Sequence, residues 1–141
     1  MAVTSESTTV WRGDLMSGSG TVALSSSGAG EFPVTWAGRA EGVAGQTNPE
    51  ELLGAAHAAC YSMAFSNALA QAGHAPESLK VTAAVTFQPG TGITGSHLLV
   101  TAHIPGIEMS EFDRLADDAK ANCPVSKALA GIPITLEASL A

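Results

Sequence analysis

Residues 47–73 read TNPEELLGAAHAACYSMAFSNALAQAG, and this stretch decides the fold. Its start is typical of a helix N-terminus, because Asn48 suits the N-cap, Pro49 suits the first helical position, and Glu51 follows three residues after the cap. The run that follows is rich in Ala and Leu, contains no Pro, and ends at Gly73, which favours a C-terminal stop. We therefore predict one helix over this stretch, about 24 residues and ~36 Å long.

The predicted helix carries apolar or small residues on nearly every face. A long helix of that kind is buried in the protein and does not lie on its surface. A chain of 141 residues has little material with which to wrap such a helix. We therefore expect a second subunit to cover part of it.

The segments around the helix favour strands and shorter helices. Alternating apolar and polar residues predict a half-buried strand over 79–87, and a Gly-rich turn over 88–95 leads to a returning strand over 96–104. A second helix, capped at or near Ser110, is expected to run to Asn122, and Pro124 then starts a short helix. Weaker strands are predicted over 9–14, 20–26, 31–36 and 132–140. This order predicts an α+β fold with an antiparallel sheet packed against helices.

Length and charge limit the class of protein. The 141 residues fit one domain over 1–141, with a flexible polar end at 1–8. A net charge of −7 with six Lys and Arg argues against nucleic-acid binding and against attachment to a membrane surface. No apolar run reaches the ~20 residues that span a bilayer, and no secretory signal is visible at the start. The expected location is cytoplasmic.

Cys60 and Cys123 are the two cysteines of the chain. A reducing cytosol disfavours a structural disulfide, which leaves inert core thiols or a redox couple, and counting alone favours inert thiols. The surroundings favour reactivity. Small alanines around Cys60 let another element approach its thiol, although a close helix crossing is an alternative reason for them. Cys123 lies at a helix break, where free backbone N–H groups and the helix dipole stabilise a thiolate.

Two stretches match the pattern of one family. The first runs from GRAEG at 38–42 through TNPEELLGAAHAACYSMA at 47–64, and the second is ANCPVS at 121–126. Together they resemble the OsmC/Ohr family of hydroperoxide reductases, and the likeness extends over residues 11–140. Arg39, just before the Asn-Pro-Glu segment, is similar to the basic residue of the OsmC branch. Arg12 is a weaker match to the Arg of the other branch.

The resemblance implies a two-cysteine peroxidase of the oxidative stress response, which reduces organic hydroperoxides and, less well, hydrogen peroxide. In this interpretation Cys60 is peroxidatic, Cys123 is resolving, and Arg39 and Glu50 complete the site. An external dithiol or lipoyl reductant restores the thiols, and no cofactor is required. The resemblance also implies an OsmC-like fold, with sheet wrapped around a long central helix, as an intertwined homodimer with active sites at the interface.

The residue types suit that chemistry. A guanidinium beside a sulfur favours the thiolate and can bond the developing alkoxide, and Glu50 can hold Arg39 in a bidentate pair. Glu50 and Cys60 are ten residues apart, which is ~15 Å along a straight helix. Either the helix bends between them, or Arg39 and Glu50 serve Cys60 of the partner subunit. We favour the second alternative.

Other interpretations use the same residues. His57 shares a helix face with Cys60, which permits a Cys–His hydrolase. His57, Cys60 and Cys123, with a further histidine as fourth ligand, are also residue types that bind zinc, and such a site would suit a metal sensor. A thiol-based redox sensor without peroxidase turnover is another alternative. The plainest interpretation of His57 is a buried histidine whose ring nitrogens are satisfied by hydrogen bonds.

Overall fold

The computed structural model describes all 141 residues and divides them into two units, Met1–Leu52 and Leu53–Ala141. The first unit contains β1 (Thr8–Arg12), β2 (Ser19–Ala23), β3 (Glu31–Val34), α1 (Trp36–Ala40) and the first turn of α2 (Pro49–Gln71). The second contains the rest of α2, then β4 (Ser78–Gln88), β5 (Gly92–His103), α3 (Met109–Asn122), α4 (Pro124–Ala128) and β6 (Ile134–Leu140). The predicted α+β class is confirmed.

The first unit holds an antiparallel sheet in the order β1-β2-β3. The third predicted strand ends earlier than expected, because Thr35 starts a helix: its hydroxyl accepts a hydrogen bond of 3.0 Å from the backbone N–H of Gly38. This helix, α1, was not predicted, since five residues are too few to show a helical period. It carries Arg39 in its last turn.

The start of α2 is capped as predicted. The side-chain oxygen of Asn48 accepts from the backbone N–H of Glu51 at 2.8 Å, which satisfies one of the unpaired donors of the first turn. The carboxylate of Glu51 in turn accepts from the hydroxyl of Thr47 at 2.7 Å. These bonds fix the direction in which the chain enters the helix, and they place Glu50 in its first turn.

The C-terminus of α2 ends at the predicted glycine. Gly73 has a φ of 85°, a conformation that residues with a Cβ adopt at a cost. The N–H of Gly73 donates to the carbonyl of Ala70 at 3.0 Å, and the N–H of His74 donates to that of Leu69 at 2.8 Å. This pair of bonds is a Schellman motif, which stops a helix and satisfies its last carbonyls.

The sheet of the second unit is mixed, in the order β4-β5-β6. β4 and β5 form the predicted antiparallel hairpin, but β6 runs parallel to β5. The expectation of a wholly antiparallel sheet is therefore wrong for this pair. α3 and α4 lie between the two strands in sequence, and such a crossover returns the chain to the end of the sheet where β5 began.

The hairpin turn is also tighter than predicted. The N–H of Thr91 donates to the carbonyl of Gln88 at 2.9 Å, and Gly90 has a φ of 84°. β5 therefore begins at Gly92 and not at residue 96.

The core of the second unit lies between α2, α3 and the inward residues of β5. Tyr61, Phe65 and Phe112 are fully buried. The ring centroid of Phe65 lies 5.5 Å from that of Tyr61 and 5.8 Å from that of Phe112. The predicted apolar face of α3 is confirmed, since Phe112, Leu115, Ala116 and Ala119 are its buried residues. The predicted cap of α3 is wrong: Glu108 occupies the N-cap in an extended conformation, and Ser110 lies inside the first turn.

α2 is buried on one face and exposed on the other. His57, Tyr61, Phe65 and Leu69 point inward, whereas Ala55, Ala59 and Met63 are exposed, Met63 by 73%. The expectation of a helix buried all round is not met within one chain. None of the helices combines the length and the apolarity that crossing a membrane requires.

Candidate active site

Cys60 and Cys123 lie side by side in the second unit as free thiols, and their side chains are hydrogen-bonded to each other. Cys60 projects from the middle of α2 and is partly exposed. Cys123 is fully buried and ends α3, where its N–H donates to the carbonyl of Ala119 at 2.9 Å, and it also occupies the N-cap of α4. The fold thus holds an accessible thiol against a buried one.

The surroundings of the two sulfurs move their pKa values in opposite directions. Burial alone would raise the pKa of Cys123, but donors outweigh it and hold that pKa below the ordinary thiol value. The donors are the thiol of Cys60, the N–H and hydroxyl of Ser126, and the N–H of Val125. The predicted stabilisation of a thiolate at this helix break is therefore present, and it comes from the Cys60 thiol and from the first turn of α4.

The pKa of Cys60 is shifted in the opposite direction. Burial raises the pKa of Cys60, and the hydrogen bond that its thiol donates to Cys123 raises it further, while the N–H of Val125 opposes the change. Within this unit, ionisation of the reduced pair is therefore more favourable at Cys123 than at Cys60. A cation near the Cys60 sulfur would lower the pKa of this thiol.

His57 is fully buried one turn before Cys60, and its two ring nitrogens bond to serine hydroxyls. Nδ1 lies 2.7 Å from the Oγ of Ser96, and Nε2 lies 2.8 Å from the Oγ of Ser126. This is the buried, hydrogen-bonded histidine of the plainest interpretation. No group of three or more His, Cys, Asp and Glu side chains is arranged to hold a metal ion.

The two serines were missed by the sequence analysis. Ser96 and Ser126 lie 39 and 69 residues from His57, so no local spacing connects them. Ser126 belongs to the ANCPVS segment, which was the one signal that could have drawn attention to it.

Arg39 and Glu50 form an ion pair in the first unit. The Nη2 of Arg39 lies 2.7 Å from Oε1 of Glu50, and its Nε lies 3.0 Å and 3.4 Å from Oε1 and Oε2. The Glu50 side chain is only 6% exposed, whereas that of Arg39 is 31% exposed. A nearly buried carboxylate is thus neutralised by a guanidinium that still reaches solvent.

The same guanidinium borders a pocket of about 270 Å³ in the first unit. The lining residues are mostly apolar: Thr9, Trp11, Leu15, Val22, Val34, Thr35, Trp36, Arg39, Pro49 and Leu52. The pocket therefore offers an apolar surface with one fixed positive charge beside it. The four predicted site residues are brought together as two pairs, one in each unit.

Comparison with known proteins agrees with the residue pattern. The family model described as OsmC-like protein matches residues 42–137. Peroxiredoxin OsmC of Escherichia coli (strain K12) is 45% identical over 133 residues, which cover 92% of each chain. Organic hydroperoxide resistance protein OhrA of Bacillus subtilis (strain 168) is 35% identical over 102 residues, covering 70% of this chain and 72% of that protein.

A solved structure supports the same assignment. The crystal structure of the organic hydroperoxide resistance protein OhrB of Bacillus subtilis matches with a TM-score of 0.72 at 25% identity, over 97% of this chain and 98% of that one. The chain belongs to the OsmC family. The family that the sequence motifs indicated is confirmed.

Proposed function

We propose that the chain is a thiol-dependent peroxidase that reduces organic hydroperoxides with Cys60 and Cys123. The observation that carries the proposal is the hydrogen-bonded pair of free thiols, one partly exposed and one buried. The names of the relatives, a peroxiredoxin and an organic hydroperoxide resistance protein, support it. Hydrogen peroxide is the poorer substrate in this proposal.

The partly exposed thiol of Cys60 meets the peroxide first. The thiolate of Cys60 attacks the terminal oxygen, the O–O bond breaks, and the alkoxide takes a proton to leave as an alcohol. Cys60 is then a sulfenic acid. The thiolate of Cys123 attacks its sulfur, hydroxide leaves and takes a proton to become water, and a disulfide forms. An external dithiol or lipoyl group reduces the disulfide to two thiols and is itself oxidised, so no bound cofactor is required.

Arg39 supplies the charge that the pair of sulfurs lacks. In the second unit alone the pKa of Cys60 is raised, whereas the first attack requires a thiolate on Cys60. A guanidinium beside Cys60 favours that thiolate and also bonds the developing alkoxide. Glu50 holds the guanidinium in place through the bonds described above.

The partner subunit provides this Arg39 and Glu50 in our proposal, so the working enzyme is a homodimer. The ten-residue separation of Glu50 and Cys60 along the chain motivates it, as does the exposed apolar face of α2, where Met63 is 73% exposed. A second copy covering that face removes apolar surface from water.

The pocket beside Arg39 suggests the kind of peroxide. Trp11, Leu15 and Trp36 can surround an alkyl chain while the guanidinium faces the peroxide oxygens. A substrate with an apolar tail gains this contact, and hydrogen peroxide does not. The predicted location of the enzyme is the cytoplasm, where a dithiol reductant is at hand.

A peroxide consumption assay tests the proposal. Wild-type protein should consume tert-butyl hydroperoxide in the presence of dithiothreitol, and Cys60→Ser should not. Ser62→Ala is a matched control, because its hydroxyl lies on the same helix but bonds only to the carbonyl of Ala58 at 2.7 Å. Undiminished turnover by Cys60→Ser would contradict the proposal. Oxidation of both thiols without repeated turnover in wild-type protein would favour the redox sensor instead.

A further inference from the structure

The side chains of Ser96, His57, Ser126 and Cys123 form one continuous chain of hydrogen bonds in the second unit. His57 bonds Ser96 at 2.7 Å and Ser126 at 2.8 Å, and the hydroxyl of Ser126 bonds the sulfur of Cys123. Each member is nearly or fully buried, with exposures of 2% for Ser96, 0% for His57, 5% for Ser126 and 0% for Cys123. These four side chains are therefore shielded from bulk solvent along most of their surface.

The far end of the chain lies next to the surface. Ser96 is one of the residues that line an open pocket of about 250 Å³, together with Thr86, His97 and Thr135. The hydrogen-bond chain therefore connects a fully buried sulfur with a water-accessible surface depression. The thiol of Cys60 is hydrogen-bonded to the same sulfur.

The donors and acceptors of the chain can run in one of two directions. A neutral imidazole has one N–H and one acceptor nitrogen, and burial lowers the pKa of His57, which keeps the ring neutral. If Cys123 is a thiolate, Ser126 donates to the sulfur, Nε2–H donates to Ser126, and Ser96 donates to Nδ1. If the Cys123 thiol donates to Ser126, every bond reverses and the ring carries its proton on Nδ1.

Disulfide formation requires the chain to pass from the second of these arrangements to the first, because Cys123 must lose its proton. Cys123 attacks the sulfenic sulfur from the side opposite the leaving hydroxide, so its own proton cannot pass directly to that hydroxide. Cys60 is oxidised at this stage and no longer accepts a proton as a thiolate. The buried proton of Cys123 needs another path, and the hydrogen-bond chain is a path of connected groups.

We propose that His57 is a positioning residue for disulfide formation, which relays the proton of Cys123 through Ser126 and Ser96 to water in the adjoining pocket. Cys123 gives its proton to Ser126, Ser126 gives its proton to Nε2, Nδ1 gives its proton to Ser96, and Ser96 releases its own to water. The sulfur keeps its electron pair and attacks Cys60, and the departing hydroxide takes a proton from solvent. The inference rests on the proposed peroxidase function.

The relay predicts a change of tautomer in the unmodified protein. Nitrogen NMR of isotope-labelled histidine distinguishes a proton on Nδ1 from one on Nε2. His57 should carry it on Nε2 when Cys123 is ionised and on Nδ1 when Cys123 is a thiol. Other titratable groups also interact with Cys123, namely Cys60 and Tyr61 of α2, and the charge of Asp117 on α3 raises the pKa of Tyr61. Thiol absorbance should therefore be followed in parallel, so that the change of tautomer is compared with the ionisation of a thiol. The same tautomer at both ends of the titration would overturn the relay.

Two variants separate a relay from a purely structural role. His57→Gln offers a donor and an acceptor to the two serines but cannot pass a proton on by changing tautomer. Ser96→Ala cuts the far end and leaves the groups that touch Cys123 in place. Both should form the Cys60 sulfenic acid at the wild-type rate and close the disulfide about a hundredfold more slowly, the lower end of what a positioned proton-transfer group contributes.

The measurement is a single turnover with stoichiometric hydroperoxide, with dimedone trapping the sulfenic acid and thiol titration following the disulfide. Ser62→Ala, outside the chain of bonds, should match wild type. Wild-type disulfide formation in His57→Gln would overturn the relay. Failure of the proposed function looks different, because wild-type protein would then form no sulfenic acid. If a variant does not fold, the histidine tautomer of the unmodified protein decides.

Discussion

The thiol of Cys60 donates a hydrogen bond to the sulfur of Cys123, so the reduced pair already occupies the contact that a disulfide would replace. The same bond lowers the pKa of the buried Cys123 and raises the pKa of the more accessible Cys60. The reactivity of the pair therefore depends on what is added around Cys60 and on how Cys123 exchanges its proton.

Removing Cys60 should raise the pKa of Cys123. In wild-type protein one thiol ionises below the ordinary thiol pKa and the other above it, because the donors around Cys123 outweigh its burial, whereas burial and the bond to Cys123 raise the pKa of Cys60. Cys60→Ala deletes one of these donors, so its single thiolate should appear at higher pH. Ultraviolet absorbance of the thiolate, followed against pH, measures the titration in wild-type protein and in Cys60→Ala. An unchanged lower titration step in Cys60→Ala would contradict the described bond.

Cys123→Ser should stop the reaction at the sulfenic acid. Without the resolving sulfur, Cys60 has no partner for a disulfide within the chain and oxidises further to the sulfinic acid in excess hydroperoxide. Mass spectrometry of the intact chain should show the addition of two oxygens, whereas wild-type protein should lose two hydrogens. A disulfide between chains in Cys123→Ser would show instead that Cys60 can find another thiol.

Mixing two inactive variants should restore activity if the partner subunit supplies the cation. Cys60→Ser keeps the Arg39–Glu50 pair, and Arg39→Ala keeps both thiols. A mixed dimer contains one intact site, and its hydroperoxide turnover should reach about half of the wild-type rate per dimer, because one site in two is complete. A mixture of Cys60→Ser with Cys60→Ala is the matched control and should stay inactive. Absence of recovery in proven mixed dimers would place the whole site within one chain.

Gly54→Ala should destabilise the protein, although alanine is the better helix former. A Cβ at this buried position would lie 2.8 Å from the carbonyl oxygen of Ala83 on β4. Replacing the glycine improves the helix propensity by ~1 kcal/mol. Overpacking of the new methyl group against the backbone of β4 costs roughly 1–3 kcal/mol. We expect a net loss of about 1 kcal/mol in the free energy of unfolding by urea. Asn67→Ala, exposed on the same helix, should gain a few tenths, roughly. A stabilised Gly54→Ala would show that α2 and β4 can separate at this point.

Sequence alone determined the elements whose signals are local. The bounds of α2 follow from Asn48 and Gly73, because capping groups act within one turn of the helix end. The hairpin of β4 and β5 follows from alternation, and the family follows from two short segments. Cys123 was identified as a thiolate site because the donors of a helix start are adjacent in sequence.

Only the tertiary structure decided what depends on distant residues. The parallel pairing of β6 with β5 is set by the crossover through α3 and α4, which no strand pattern records. The bonds of His57 to Ser96 and Ser126 join residues 39 and 69 positions apart. Spacing along one element predicts contacts within it, whereas a hydrogen bond between elements depends on packing that the whole core determines. The sequence therefore identified the two thiols, and the fold determined that their pKa values shift in opposite directions.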